Sequence, residues 1–287
     1  AGFTTLWAGI TSCLQGSARH RYDVVNLTKM PAMVGGQPNP MLSLGVTLNP
    51  SGAHLTHLAG NWETFYAAKR SSNTRRRDRT KRKRLSDIGE VRLVNPESAD
   101  DIVSALDVLM DQKARQFAHM GVANLFARPG HAEFYRALAS EPATRPLVHV
   151  SRLDVGTTTA AVNLGLTHRD CYYHLLASYD DGELSRFGPG AAHLHDLMRL
   201  AIERGFHIFD FTIGDERYKR DWCDTEIKLH DHIAAATWHG ALIAMPRLAG
   251  QRFKRWIKQT PILWSVFSTA RAMAGSLIRR PRKADGN

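Results

Sequence analysis

Three runs in the middle of the chain, 147–155, 158–167 and 171–179, are rich in β-branched and aromatic residues, and only Gly156 and His168-Arg169-Asp170-Cys171 separate them. Connections this short join antiparallel strands, so the three predict a meander. From Pro189 to Arg204 the period changes. Leu194, Leu197, Met198, Ala201 and Ile202 recur at helical spacing, and Gly205 is suited to end the helix. Residues 207–212 read as the next strand, and a strand–helix–strand connection of this length predicts that 171–179 and 207–212 run parallel. Residues 226–230 and 232–238 predict a hairpin that completes the sheet.

Upstream, 61–85 reads as one long helix with Asn61 as N-cap and a break or kink at Ser71-Ser72-Asn73. Residues 90–94 alternate like a strand. Residues 96–120 place Ile102, Ala105, Leu106, Leu109 and Lys113 on one helical stripe. A shorter helix over 130–140 has Phe134, Ala137 and Leu138 inward. Residues 1–60, with Gly35-Gly36, Pro38, Pro40 and Pro50, predict short strands and loops of a partial N-terminal lobe. The pattern is α/β: a mixed, mostly antiparallel sheet flanked by helices. Along the chain it divides into that lobe, a basic helix at 61–89, an α/β domain at 90–240, and a basic amphipathic tail at 241–287.

Charge sharpens this division. The net charge is +11, yet 69–84 holds ten Lys/Arg against one acid, and 247–283 holds ten with no acid. The remainder is therefore acidic, and the two basic segments favour polyanions. Hydrophobic residues make up 43% of the chain, too many for a disordered one. Three scattered cysteines, Cys13, Cys171 and Cys223, give no disulfide framework and fit a reducing compartment. With no leader-like pattern in residues 1–14, the expected setting is cytoplasmic. In the tail, Trp256, Ile257, Trp264 and Phe267 offer apolar area, and Arg252, Lys254, Arg255 and Lys258 offer charge. That mixture suits an anionic membrane surface, and equally a helix covering the domain's own core.

Two segments carry candidate chemistry. Arg186-Phe187-Gly188-Pro189-Gly190 sits between a strand and a helix, where glycine permits close approach and proline suits the first helical turn. Free amides at such a start attract anions, although an ordinary tight turn would read the same way. The second segment runs from Asp210 through Gly214, Asp215, Tyr218 and Lys219 to Trp222. It lies at the carboxyl edge of the sheet, where α/β folds place ligands. Asp210 and Asp215 also suit turn and cap duty. His193/His195 and His230/His232 lack the spacing of a zinc motif, so no metal is expected.

Taken together, the chain from about Trp62 to Trp238 resembles the CelD-type acetyltransferase domain of the GNAT superfamily, a relative of the FemXAB peptidyltransferases. The resemblance rests on Tyr172-Tyr173, Tyr179-Asp180, Pro189-Gly190 and the segment Phe209-Asp210-Phe211 to Trp222. Gly188 stands where the family often has serine. The resemblance implies direct transfer from acetyl-CoA, or another acyl-CoA, to an amine or hydroxyl of a polysaccharide or envelope precursor. It places Gly188, Gly190 and Ala191 on the CoA diphosphate, with Arg186 as a charged helper. It makes His174 a candidate base, with a packed sheet histidine as the competing reading. Tyr218 becomes a candidate acid, Lys219 a stabiliser of negative charge, and Asp210 a partner of Lys219 or of the acceptor amine. Aminoacyl-tRNA as donor, or a binding module without catalysis, stay open at this point.

Overall fold

The computed structural model describes residues 2–214 and 216–259. Asp215 and the tail beyond 259, on which part of the reading above fell, lie outside the described residues. In chain order the helices and strands are α1 (Gly2–Gly16), β1 (Val24–Pro31), β2 (Met33–Val34), β3 (Gln37–Pro38), β4 (Thr47–Leu48), β5 (Ala53–His57), α2 (Trp62–Lys69), α3 (Ser72–Ser86), β6 (Val91–Val94), α4 (Ala99–His119), α5 (His131–Ser140), β7 (Val148–Val155), β8 (Thr158–His168), β9 (Cys171–Tyr179), α6 (Pro189–Glu203), β10 (Ile208–Ile213), α7 (Arg217–Arg220), β11 (Thr225–Ile227), β12 (Leu229–Ala235) and α8 (Trp238–Gln259).

The described residues divide into two units. One comprises 55–212 and 216–224. Its strands follow the order β5-β10-β9-β8-β7-β6. The meander β7-β8-β9 is antiparallel, as its short turns dictate, and β6 pairs antiparallel with β7. The crossover through α6 brings β10 parallel to β9, with Ile208, Phe209 and Asp210 opposite Cys171, Tyr172 and Tyr173. Alternation sends one side of each strand to each layer. Val150, Val162 and Leu164 meet α4 through Ile102, Leu106 and Leu109. Tyr172 and Phe209 meet α6 through Leu194, Leu197 and Met198. Leu85 of α3 is fully buried with Leu153, Ala161 and Ala192.

The helical stretch expected over 61–85 is two helices, divided where a break or kink was expected. Arg70 is extended, and Ser71 starts a new helix by accepting the Thr74 amide at 3.2 Å. On α5 the buried face is displaced from the one expected. Phe134 is 58% exposed, whereas Ala132 and Tyr135 pack inward with the fully buried Ala139.

The other unit comprises 2–54, 213–214 and 225–259. Its three-stranded sheet has the order β1-β12-β4, antiparallel throughout. The hairpin expected over 226–238 does not form: β12 pairs with β1 and β4, and Trp238 already begins α8. Asp231 is buried at its centre. It accepts from the Lys29 amide (2.7 Å), Asn49 Nδ2 (2.8 and 2.9 Å) and Gln251 Nε2 (3.0 Å), which satisfies the charge. The helix α1 also departs from expectation, in a stretch read as strands and loops.

Candidate functional site

After β9 the chain reaches α6 through a 3-10 turn over Glu183–Phe187. Gly188 takes a left-handed conformation (φ 67°, ψ 54°) that closes this turn and opens α6, with Pro189 in the first helical position. The Gly188 amide donates to Ser185 O (3.0 Å), and the Ala191 and Ala192 amides donate to Gly188 O (both 3.1 Å). Of the three amides expected to hold a diphosphate, Gly190's has no backbone acceptor among the described residues, and those of Gly188 and Ala191 close the turn. Gly190 is also crowded: a Cβ there would lie 3.1 Å from the Tyr179 ring. The exposed Arg186 lays its guanidinium over Phe187, 4.8 Å from the ring centre.

Beside this helix start lies a cavity of about 150 Å³. Gly188, Ala191 and Ala192 form one side, Arg79, Lys81 and Arg82 of α3 a second, and Trp62, Tyr66 and His195 a third. Lys81 reaches over the turn, its Nζ 3.8 Å from where a Cβ on Gly188 would stand. Arg82 Nη1 donates to both Asp196 oxygens (3.0 and 2.9 Å), which ties α3 to α6. Trp62 and Tyr66 stack at 4.9 Å between ring centres. The Tyr66 hydroxyl donates to Asp78 at 2.7 Å, and His195 Nε2 lies 4.0 Å from the same carboxylate. Burial pushes His195 down to about 4 despite Asp78, so its imidazole is neutral at neutral pH. A helix start, two cations, Arg79 and Lys81, with no ion pair among the described residues, and an aromatic wall together fit a phosphorylated ligand with a flat ring. The sequence signalled the basic run but not which of its residues turn inward. Trp62 and Tyr66 carried only a helical spacing.

The remaining site residues gather where β9 and β10 part. Their pairing covers three residues, and β9 then bulges: Leu164 faces Leu176 and Gly165 faces His174, so Leu175 is extra. A bulge leaves ladder groups unpaired and re-aims the strand. His174 is buried against Phe209 and Phe211. With the Asn163 amide oriented so that both its ends are satisfied, its nitrogen donates to His174 Nε2 (3.1 Å) and its oxygen accepts from Tyr172 Oη (2.8 Å). Burial, then the charges of Lys219 and Lys113, push His174 down to about 3. Its lone pair is engaged and its ring stays neutral, which is the geometry of a packed sheet histidine.

Lys219, 3% exposed, places Nζ 2.9 Å from Glu216 Oε2. Lys113 comes from α4, and burial lowers its affinity for a proton, with Glu216 opposing. Tyr218 is part-exposed, edge-on to Phe211, and burial raises its hydroxyl well above the usual range. Asp210 Oδ1 accepts the Thr212 amide at 2.7 Å and so holds Thr212 at φ 59°, a strained value for a β-branched residue. Glu216 and Lys113 were not singled out from sequence for chemistry. Lys113 sat in an apolar stripe, and only its charge at that position hinted at a role.

Residues 72–220 match a family model described as "Acetyltransferase (GNAT) domain". The chain belongs to the GNAT acetyltransferase family. That match spans α3 through α7 and takes in the turn at Gly188, the inward residues of α3 and the residues around His174 and Lys219, while Trp62 and Tyr66 lie just before it. A GNAT chain is an acyltransferase that uses acyl-CoA, and the open turn under Lys81 fits such a donor's diphosphate. No curated protein matches the chain. Among solved structures it is similar to FemX (TM-score 0.51, 10% identity, 78% of this chain and 76% of that one). It is similar also to the C-terminal domain of a protein assigned as a lysylphosphatidylglycerol synthetase from Agrobacterium fabrum (TM-score 0.51, 11% identity, 83% and 75%). A third is a GCN5-related N-acetyltransferase from Kribbella flavida (TM-score 0.40, 14% identity, 82% and 76%). For the first two the likeness is one of fold alone. Among the described residues no His, Cys, Asp or Glu cluster is arranged to hold a metal.

Proposed function

We propose that the protein transfers an acetyl group from acetyl-CoA directly to an amine or hydroxyl of a polysaccharide or envelope precursor. The observation that carries the CoA part is the cavity at the start of α6, where Gly188, Ala191 and Ala192, in the turn that holds the Gly190 amide, face Lys81, Arg79 and the Trp62–Tyr66 wall. The diphosphate lies on the Gly190 amide and Lys81, and the adenine lies against the aromatic wall. The acceptor class rests on the CelD-type motifs Tyr172-Tyr173 and Pro189-Gly190.

Each chemical role follows from what a group can offer where it stands. The parted strands β9 and β10 admit the thioester arm, and the bulge at Leu175 presents backbone to its carbonyl. Lys219 and Lys113 offset the negative charge that grows on that oxygen as the acceptor nitrogen or oxygen attacks. His174 is engaged with Asn163, so the acceptor's proton passes to Glu216, a half-exposed carboxylate beside Lys219. Tyr218, which burial keeps protonated, is the hydroxyl that donates to the thiolate as the C–S bond breaks. Asp210 braces the Thr212 turn that leads towards α7.

The test is acetyl-CoA turnover against a panel of amines and glycans, followed by free-thiol release. Thiol release that depends on an amino or hydroxyl sugar supports the reading. Tight, salt-sensitive tRNA binding with no response to CoA would replace it with an aminoacyl-tRNA donor.

A further inference from the structure

The helix α8 (Trp238–Gln259) buries Gly240 and Ala244 and exposes most of its large apolar residues. A side chain on Gly240 would run into the Asp23 carbonyl, Ala244 is 4% exposed, and Gln251 donates to Asp231. Trp238, Leu242 and Met245 are 66–69% exposed, and Phe253 and Trp256 are 57% exposed. Their spacing repeats at the helical period, so the five form one stripe along the helix. A helix that covered the domain's own core would bury those side chains instead. A contiguous apolar stripe open to solvent marks a docking surface.

The geometry points to an anionic phospholipid surface as the occupant. Residues 238–259 carry Arg247, Arg252, Lys254, Arg255 and Lys258 and no acid, and the basic balance continues without an acid to Lys283. Arg247 and Arg252 are exposed. Tryptophans stand near both ends of the stripe, where an indole fits the boundary between headgroup and acyl chain. An apolar stripe on a helix with only positive charge is the form of an interfacial helix. In the same unit, α1 is uncharged and exposes Leu6, Ile10 and Leu14 on one face. No helix among the described residues is long and apolar enough to cross a membrane. The proposal holds whatever group the enzyme transfers.

The whole chain is sedimented with phosphatidylcholine vesicles, with and without phosphatidylglycerol, beside the double variant Leu242→Glu/Met245→Glu. Binding is expected only to vesicles containing phosphatidylglycerol. It should weaken with salt and fall at least about tenfold in the variant, while thermal protection by CoA is unchanged. Brominated phosphatidylglycerol should quench tryptophan emission of the wild-type protein, and less so in Trp256→Phe, a readout that does not depend on the double variant folding. Equal binding by the variant, no quenching, or a dimer that the double substitution dissolves would overturn the proposal, the last by assigning the stripe to a second copy.

Discussion

Arg82 reaches from α3 to Asp196 on α6, with Nη1 at 3.0 and 2.9 Å from the two carboxylate oxygens. This contact fixes the basic helix beside the turn that opens α6. Asp196 is 17% exposed and burial raises its pKa, so the guanidinium matters more to it than a surface ion pair would. Arg82→Ala should cost about 1–3 kcal/mol in chemical denaturation. The double variant with Asp196→Ala should cost less than the two single losses combined, because neither charge is then left alone.

Gly188 sits at φ 67° with Lys81 above it. Gly188→Ala should destabilise by about 1 kcal/mol through strain alone. Gly190→Glu brings a carboxylate to the open amide and a side chain against Tyr179. CoA affinity, read by calorimetry, should fall far more for Gly190→Glu than for Gly188→Ala.

Lys219 and Lys113 both bear on His174, and Glu216 bears on both lysines. Lys219→Met should lower kcat by about 10²-fold or more with little change in CoA affinity, the sign of an interaction made in the transition state. Glu216→Gln should lower kcat with CoA affinity kept, and by far more than His174→Gln does.

Four buried imidazoles are held neutral, His149 and His195 down to about 4 and His174 and His193 down to about 3, in each case chiefly by burial. In the unfolded chain they take protons near pH 6.5. Stability from this source is therefore complete above about 6.5 and is lost as pH falls towards the folded values, by up to about 1.4 kcal/mol per pH unit for each histidine. Urea midpoints should drop steadily from pH 6.5 to 4, and His193→Gln should reduce the slope.

The meander and the crossover were legible because period and loop length leave little choice. Gly156 allows only a tight turn, and α6 as a connection forces β9 and β10 parallel. Other features needed tertiary information. Phe134 has the spacing of an inward residue, yet Tyr135 is the ring that meets Phe126. Residues 226–238 have two β-rich runs, but β12 finds its partners in β1 and β4, far away in sequence. The Gly188-Pro189-Gly190 turn was legible as the turn that opens a helix. Which amide stays open was not, because that depends on how the left-handed Gly188 returns its own carbonyl to Ala191 and Ala192. His174 looked like a base because an unperturbed imidazole titrates near neutrality, and Asn163, Phe209 and Phe211 remove that property.

The most direct test is calorimetric titration of CoA into the wild-type chain and into Lys81→Glu. Lys81 is exposed and has no acidic partner among the described residues, so the substitution leaves the fold intact. Wild-type protein should bind CoA with an affinity that falls as salt rises, and Lys81→Glu should bind at least about tenfold more weakly with a shallower salt dependence. Equal affinity in the two proteins, or no binding of CoA to the wild type, would contradict a CoA diphosphate at the start of α6.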